Sequence, residues 1–155
     1  MSLEKQIQGD IKAAMLAKEK TKLEALREIK SQILLGKTAE GAKLTENGEL
    51  ADADILKIIQ KLVKQHGESA ALYKQNGRED LAAEEEGQAK AMEYLLPKQM
   101  NAEEIVAEVK KIIETVGATG PKDMGKVMGA ASKQLAGKAE GRAIADAVKS
   151  ALAAL

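Results

Sequence analysis

Helical periodicity runs through nearly the whole of this 155-residue chain and constrains its fold more than any other feature. Apolar residues recur at intervals of three and four, as on the buried face of an α-helix, and no segment shows the alternation of a half-buried strand. The first two apolar stripes are Leu3, Ile7, Ile11, Ala14 and Met15, and then Leu23, Leu26, Ile33 and Leu34. They predict two helices, or one long helix with a joint near residues 18–21. The pattern as a whole predicts an all-α fold.

Three further segments complete the amino-terminal part of the pattern. Residues 36–50 contain three glycines and an Asn-Gly pair, which predict a mobile loop. A third helix is predicted from about Asp52, and Gly77 opens the turn to a fourth helix over residues 78–96. The apolar face of the third helix comprises Ile55, Ile59, Leu62, Val63, Ala70 and Tyr73. We therefore expect an amino-terminal lobe of about four helices.

Pro97 is the best candidate for a domain boundary. Proline has no amide hydrogen and disfavours helical geometry at the residue before it. Residues 1–97 are then expected to form an amino-terminal helical domain, and residues 98–155 a carboxyl-terminal three-helix bundle. A unit of that size is sufficient for a bundle if its alanine-rich faces pack closely.

Start and stop signals divide the carboxyl-terminal part into helices. Asn101 and Glu104 have the spacing of a capping box and predict the start of the fifth helix. Gly117 is expected to end this helix, and Pro121 suits the first position of the sixth. The fifth helix is expected to bury Ile105, Val109, Ile112 and Ile113.

The last two predicted helices separate basic from apolar residues. On a sixth helix that begins at Pro121, three lysines fall within about 40° of one another at 100° per residue. These are Lys122, Lys126 and Lys133, and the opposite side carries Met124, Val127, Met128, Ala131 and Leu135. On the seventh helix Arg142 and Lys149 share a side, opposite Ile144, Val148, Ala151 and Leu155. Two such stripes suggest a polyanion surface, although most charged stripes only face water.

Glycine placement beside the lysines adds to this signal. Gly125 and Gly129 lie next to the stripe, although each interior glycine costs a helix roughly 1 kcal/mol relative to alanine. Such residues usually permit close approach, either of another helix or of a phosphate-sugar backbone. The sequence does not separate these two alternatives.

The turn over residues 135–142 carries glycines and cations at the start of the last helix. Lys138 and Arg142 lie beside backbone amides at a helix amino terminus, an arrangement that favours anions. An ordinary helix-helix turn with Gly137 as carboxyl-terminal cap explains the same residues equally well. The turn does not match Walker A spacing, so we exclude nucleotide hydrolysis.

Composition restricts the classes of ligand. The 24 basic and 24 acidic residues give zero net charge, so any polyanion site must be local. Tyr73 and Tyr94 are the only aromatic residues, which argues against recognition by stacking of single-stranded bases and favours phosphate and sugar contacts to a folded RNA. Cysteine is absent, and neither a signal peptide nor an apolar run of membrane-spanning length is present. We expect a soluble cytoplasmic protein without a membrane partner.

No set of residues has the pattern of an active site. His66, the single histidine, lies on the apolar stripe of the third helix beside Leu62, which favours a packed or interface role. No metal motif surrounds it, and the carboxylates of residues 84–86 have no evident partner that perturbs their protonation. Ser69 and Ser132 lack signs of nucleophile activation. We expect no catalytic residue, no metal site and no cofactor, and the residues do not favour catalysis by this chain alone.

Three segments together resemble the YqeY family, whose members are similar to the carboxyl-terminal domain of the GatB subunit of tRNA-dependent amidotransferase. They are residues 2–33, residues 76–100 with YLLPKQM, and residues 122–142, which begin KDMGKVMG. The resemblance implies an all-helical protein of two lobes. It also implies an association with glutamine-dependent carbon-nitrogen ligases, although the catalytic domain of GatB has no counterpart here. His66, Gly67 and the long loop after Leu35 depart from the usual pattern of the family.

In the amidotransferase the related tail domain helps to hold the tRNA. Carried over by position, the resemblance implies tRNA-facing residues at Lys122, Lys126, Gly129, Lys133, Lys138, Gly141 and Arg142. The first hypothesis is therefore an accessory module that binds tRNA or another structured RNA, with no DNA partner. The alternative is a protein-interaction module that docks on a synthetase or an amidotransferase without RNA contact. A third possibility is an enzyme that acts on amide nitrogen.

Overall fold

The computed structural model describes residues 1–155 and is built from seven α-helices, so the predicted all-α class is confirmed. The helices are α1 (Leu3–Ala17), α2 (Lys20–Thr38), α3 (Asp52–Gln75), α4 (Glu79–Glu93), α5 (Ala102–Val116), α6 (Met124–Gln134) and α7 (Gly141–Ala153). A short 3-10 helix, Pro121–Asp123, precedes α6. None of these helices combines the length and the apolar character that a membrane crossing requires. The chain divides into two compact units, Met1–Leu96 and Pro97–Leu155.

Helices α1 to α4 of the first unit enclose one apolar core. Its fully buried side chains include Ile7, Leu26, Ile29, Ile55, Ile59 and Met92. The predicted joint after α1 is confirmed, because Lys18 adopts the left-handed conformation (φ 57°) and ends the helix. Met15 and Leu34 were expected in the apolar stripes, and this is wrong, since their side chains are 53% and 54% exposed. In each case the preceding residue, Ala14 or Ile33, takes the buried position, and the next side chain points about 100° away.

The loop predicted for residues 36–50 begins later than expected. Helix α2 continues through Gly36 to Thr38, so the prediction is wrong for these three residues. Leu50 packs directly on this turn of helix, because a Cβ built at Gly36 lies 3.0 Å from its Cδ1. The end of the loop is also held, since Leu50 forms an antiparallel bridge with Leu44 and is buried. Tertiary packing thus compensates the low helix propensity of the glycine.

The second unit packs α5, α6 and α7 around a separate core. The capping prediction is confirmed, since Oδ1 of Asn101 accepts a hydrogen bond from the amide of Glu104 at 2.8 Å. Gly117 ends α5 in the left-handed conformation (φ 69°), also as predicted. The core contains the four predicted α5 residues together with Val127, Ala131, Leu135, Ala139, Ile144, Val148 and Leu152. Leu155 was expected on the buried face of the last helix, but it is 63% exposed and Leu152 is buried instead.

The prediction that the sixth α-helix begins at Pro121 is wrong. The amide of Asp123 donates to the carbonyl of Gly120 at 3.0 Å, and that of Met124 donates to Pro121, both with the shorter 3-10 spacing. The carboxylate of Asp123 also accepts the amide (2.8 Å) and the hydroxyl (3.3 Å) of Thr119, which holds this tighter turn. Lys122 therefore precedes α6, and the helical stripe there consists of Lys126 and Lys133.

Candidate nucleic-acid interface

Helix α6 places two of the predicted RNA-contacting lysines on one exposed face. Lys126 and Lys133 are seven residues apart and so lie within about 20° of each other on the helix surface. Both are exposed, whereas Val127 and Ala131 are fully buried against α5 and α7. Burial of the apolar side therefore fixes the direction of the basic side. Lys122, in the preceding 3-10 helix, is exposed as well.

Lys138 is exposed in the turn after α6, and buried residues and a backbone hydrogen bond hold this turn in place. Gly137 adopts φ 77°, and the amide of Lys138 donates to the carbonyl of Leu135 at 3.0 Å. Ala136 and Ala139 on either side are buried, while Lys138 is exposed. The left-handed Gly137 is typical of an ordinary turn, but the prediction that Gly137 is the carboxyl-terminal cap is wrong, because α6 ends with Leu135 as its cap. Packing therefore accounts for the shape of the turn, and its lysine points to solvent.

Helix α7 begins directly beyond this turn. Gly141 and Arg142 occupy its first turn and are exposed. Glu140 is the residue before the helix, and its side chain makes no capping hydrogen bond to the first amides. Its negative charge adjoins the cations of Lys138 and Arg142 in sequence. The start of α7 thus combines the positive end of a helix dipole with one acidic and two basic side chains.

The local charge of this region is positive, although the whole chain is neutral. Residues 121–155 contain six basic residues and three acidic ones, which are Asp123, Glu140 and Asp146. The carboxyl of Asp123 is directed to Thr119, and hydrogen bonds from this residue hold the pKa of Asp123 below its usual range. The charge of Lys122 interacts with the carboxylate of Asp123 and contributes to its lowered pKa. The side chains of Lys126, Lys133, Lys138 and Arg142 take part in none of the salt bridges or side-chain hydrogen bonds of the structure. The charges of these four residues are therefore not cancelled by contact with carboxylates.

The surface beside the α6 lysines is open. A Cβ built at Gly125 or at Gly129 meets no other atom within 4 Å, and the same holds at Gly141. Close approach of another helix was one explanation for these glycines, and within this chain it is wrong. The glycines leave a strip of bare helix backbone beside Lys126 and Lys133.

His66 lies in the first unit, where it joins three helices. Its Nε2 is 2.8 Å from Oε2 of Glu28 on α2, and its Nδ1 is 2.5 Å from Oε2 of Glu85 on α4. Burial lowers the pKa of His66, but the hydrogen bonds and negative charges of the two glutamates outweigh this effect and raise the pKa above 6.5. The packed position predicted for His66 is confirmed, since its side chain is only 15% exposed. Two of the carboxylates of residues 84–86 have partners, since Glu85 binds His66 and Glu86 pairs with Lys74.

A cleft of about 780 Å³ opens beside His66 between α2 and α4. Four of its lining residues are the carboxylates Glu24, Glu28, Glu84 and Glu85. Lys20 and His66 also line the cleft, but the four carboxylates outnumber these cations, so the cleft is unsuited to a polyanion. No group of three or more histidine, aspartate or glutamate side chains is arranged to hold a metal ion.

Sequence reasoning missed two sets of polar contacts. One is the cluster of Glu28, His66 and Glu85, whose members are far apart in the chain. The other is Gln99, whose Nε2 donates to the carbonyl of Gly137 at 2.6 Å. Gln99 lies within YLLPKQM, the segment already noted for its resemblance, and this was the only signal that pointed to it.

The chain matches a model of a known protein family. The family model described as YqeY, Yqey-like protein, matches residues 4–152. The match spans nearly the whole chain and includes both units and every residue of the candidate interface. No curated protein matches the chain.

Proposed function

The chain belongs to the YqeY family, and we propose that its second unit is an accessory module that binds tRNA or another structured RNA. One observation carries the proposal. Five exposed cations lie between residues 122 and 142, and four of them, Lys126, Lys133, Lys138 and Arg142, form no ion pair with a carboxylate. Uncompensated cations at a surface are the groups that contact phosphates.

The proposed contacts go to the RNA backbone rather than to unstacked bases. The second unit contains no aromatic residue, so it has no platform for base stacking. Lys126 and Lys133 supply cations along one face of α6. The bare strip at Gly125 and Gly129 allows a sugar-phosphate strand to approach the helix backbone beside these lysines. A folded RNA presents such a strand without the free-energy cost of unstacking its bases.

The resemblance to the tail domain of GatB supports the choice of tRNA. That domain helps to hold the tRNA, while other parts of the amidotransferase carry out the chemistry. By analogy, this chain would act together with a carbon-nitrogen ligase that uses glutamine as amido donor. In that arrangement the cations of the second unit position the RNA, and the catalytic groups belong to the partner.

Binding of tRNA in a filter-retention assay at two salt concentrations tests the proposal. The variants are Lys126→Glu and Arg142→Glu, beside the parent chain. Each lost phosphate contact weakens binding and reduces the slope of log K against log salt by about 1. Lys12→Glu is the matched control, because it makes the same charge change at an exposed position on α1. Binding that is equal in the parent and in both interface variants rejects this surface.

An exposed apolar pair favours the alternative of a protein-interaction module. Leu34 and Leu35 on α2 are 54% and 62% exposed, although both are large apolar side chains. The alternative predicts a complex with a synthetase or an amidotransferase that survives nuclease and high salt. Leu35→Glu would dissociate that complex, whereas Lys126→Glu would leave it intact.

A further inference from the structure

We infer that Gln99 is a positioning residue that sets the geometry in which the turn after α6 presents Lys138 and Arg142 to RNA. The inference rests on the proposed function, because it concerns how that same surface is built. Gln99 does not contact the RNA in this scheme. It acts through the backbone of the turn, together with the amide of Met100.

Two hydrogen bonds tie consecutive carbonyls of the turn to the segment before α5. The side-chain Nε2 of Gln99 donates to the carbonyl of Gly137 at 2.6 Å, and the amide of Met100 donates to that of Lys138 at 2.8 Å. Nε2 of Gln99 also donates to the carbonyl of Pro97 at 3.0 Å, and this second bond restrains the orientation of the Gln99 side chain. Two adjacent peptide planes are thereby held against rotation.

The turn needs this support because it depends on a left-handed glycine, Gly137, which could also adopt other backbone conformations. Gly137 is buried and adopts φ 77°. Glycine adopts negative φ values about as readily, so the sequence alone does not fix this conformation. Loss of the Gln99 donor leaves the buried carbonyl of Gly137 without this partner, which favours rotation of the peptide toward solvent. The turn would then exchange among conformations instead of holding one.

Both cations depend on that backbone. Lys138 carries the second of the two bonded carbonyls, and Arg142 lies in the first turn of α7, which starts only three residues beyond Lys138. A fixed turn presents the two cations in one arrangement, so less conformational entropy is lost on binding. Lys126 lies on α6 before the turn and does not share this dependence.

A double-mutant cycle on tRNA affinity tests the inference. Gln99→Met removes the donor and keeps the length of the side chain, and we expect Kd to rise roughly fivefold, the factor that corresponds to one hydrogen bond. In a background of Lys138→Ala with Arg142→Ala the effect should fall below about twofold, because the groups that the turn positions are gone. In a Lys126→Ala background it should remain about fivefold. Equal effects in all three backgrounds would mean general destabilisation and overturn the inference.

Hydrogen exchange separates this inference from the proposed function. Gln99→Met should accelerate exchange of the amides of residues 138–142, whereas amides in the middle of α5 should exchange as in the parent. A parent that binds tRNA, with unchanged exchange in the variant, overturns only the positioning role. A parent without tRNA affinity overturns the proposed function and with it the presentation of cations to RNA, even if exchange in the turn is accelerated.

Discussion

Nδ1 of His66 on α3 lies 2.5 Å from Oε2 of Glu85 on α4. The opposite nitrogen of the ring is 2.8 Å from Oε2 of Glu28 on α2, so one imidazole connects three helices of the first unit. Only a protonated ring can donate to both carboxylates, because a neutral imidazole has a single N–H. Protonation of His66 therefore determines whether both hydrogen bonds between these three helices can form.

This arrangement predicts a stability that depends on pH near neutrality. Burial opposes the charge of His66, but the hydrogen bonds and negative charges of Glu85 and Glu28 raise its pKa in the folded protein above the unfolded value of about 6.5. The stabilisation is therefore fully present below about pH 6.5, and it is lost as the pH rises through the folded pKa. Urea unfolding of the first unit at several pH values between 5 and 9 measures it.

His66→Gln is the control for the pH prediction. Glutamine donates to a carboxylate but does not titrate, so the part of the pH dependence that belongs to His66 should disappear in the variant. The chain has a single histidine, and an NMR titration of its ring therefore gives the folded pKa without ambiguity. A value at or below 6.5 contradicts the prediction.

The sequence predicts those parts of the fold that depend on neighbouring residues. Asn101 and Glu104 are three residues apart, and their cap is formed as their spacing indicates. Gly117 ends α5, and the buried residues of that helix follow its period. In these cases the responsible interaction lies within one turn of helix, so the local pattern contains the cause.

The remaining features depend on contacts between distant parts of the chain. His66 meets Glu28 and Glu85 across 38 and 19 residues, a pairing that no local spacing reveals. Gly36 is helical because Leu50 packs on it from beyond the loop. At the candidate interface the exposure of Lys126 follows from the apolar period of α6, whereas the support of the turn by Gln99 spans 38 residues.

Gly129→Ala should separate helix stability from RNA binding. The added methyl group meets no atom within 4 Å, so we expect α6 to gain about 0.5–1 kcal/mol from the higher helix propensity of alanine. If a phosphate-sugar strand approaches this strip, the same methyl group should weaken tRNA binding. Thermal unfolding and filter retention measure the two effects. Gly9→Ala, an equally open position on α1, should stabilise the chain without changing RNA affinity, and equal affinity of both variants contradicts the close approach.

Gly117→Ala should have the opposite effect on stability. Gly117 adopts φ 69° at the end of α5, where an L-residue with a Cβ is disfavoured by about 1–2 kcal/mol. A Cβ there meets no neighbouring atom, so the cost comes from the backbone conformation alone. Urea unfolding of Gly117→Ala and Gly129→Ala should give changes of opposite sign, because Gly129 lies in the interior of α6 without a positive φ. Changes of the same sign would rule out this explanation.

The buried carboxylate of Glu4 should couple strongly to Lys37. Its Oε1 accepts from Nζ of Lys37 at 2.9 Å, its Oε2 accepts from the amide of Leu50 at 3.2 Å, and the side chain is only 9% exposed. Removal of Lys37 leaves a buried charge with one backbone donor, so we expect Lys37→Met to cost about 2 kcal/mol. The double variant Glu4→Met, Lys37→Met should cost less than the sum of the single variants, by at least about 1 kcal/mol.

A surface pair on α5 provides the reference for this coupling. Nζ of Lys111 is 3.3 Å from Oε1 of Glu108, with side chains 73% and 37% exposed. Water and salt screen such a pair, and its coupling energy should be at most about 0.5 kcal/mol. The same double-mutant cycle by urea unfolding, at low and at high salt, should show a large and salt-insensitive coupling for Glu4 and Lys37 and a small, screened one for Glu108 and Lys111. Equal couplings at the two sites would show that burial of Glu4 does not strengthen its ion pair.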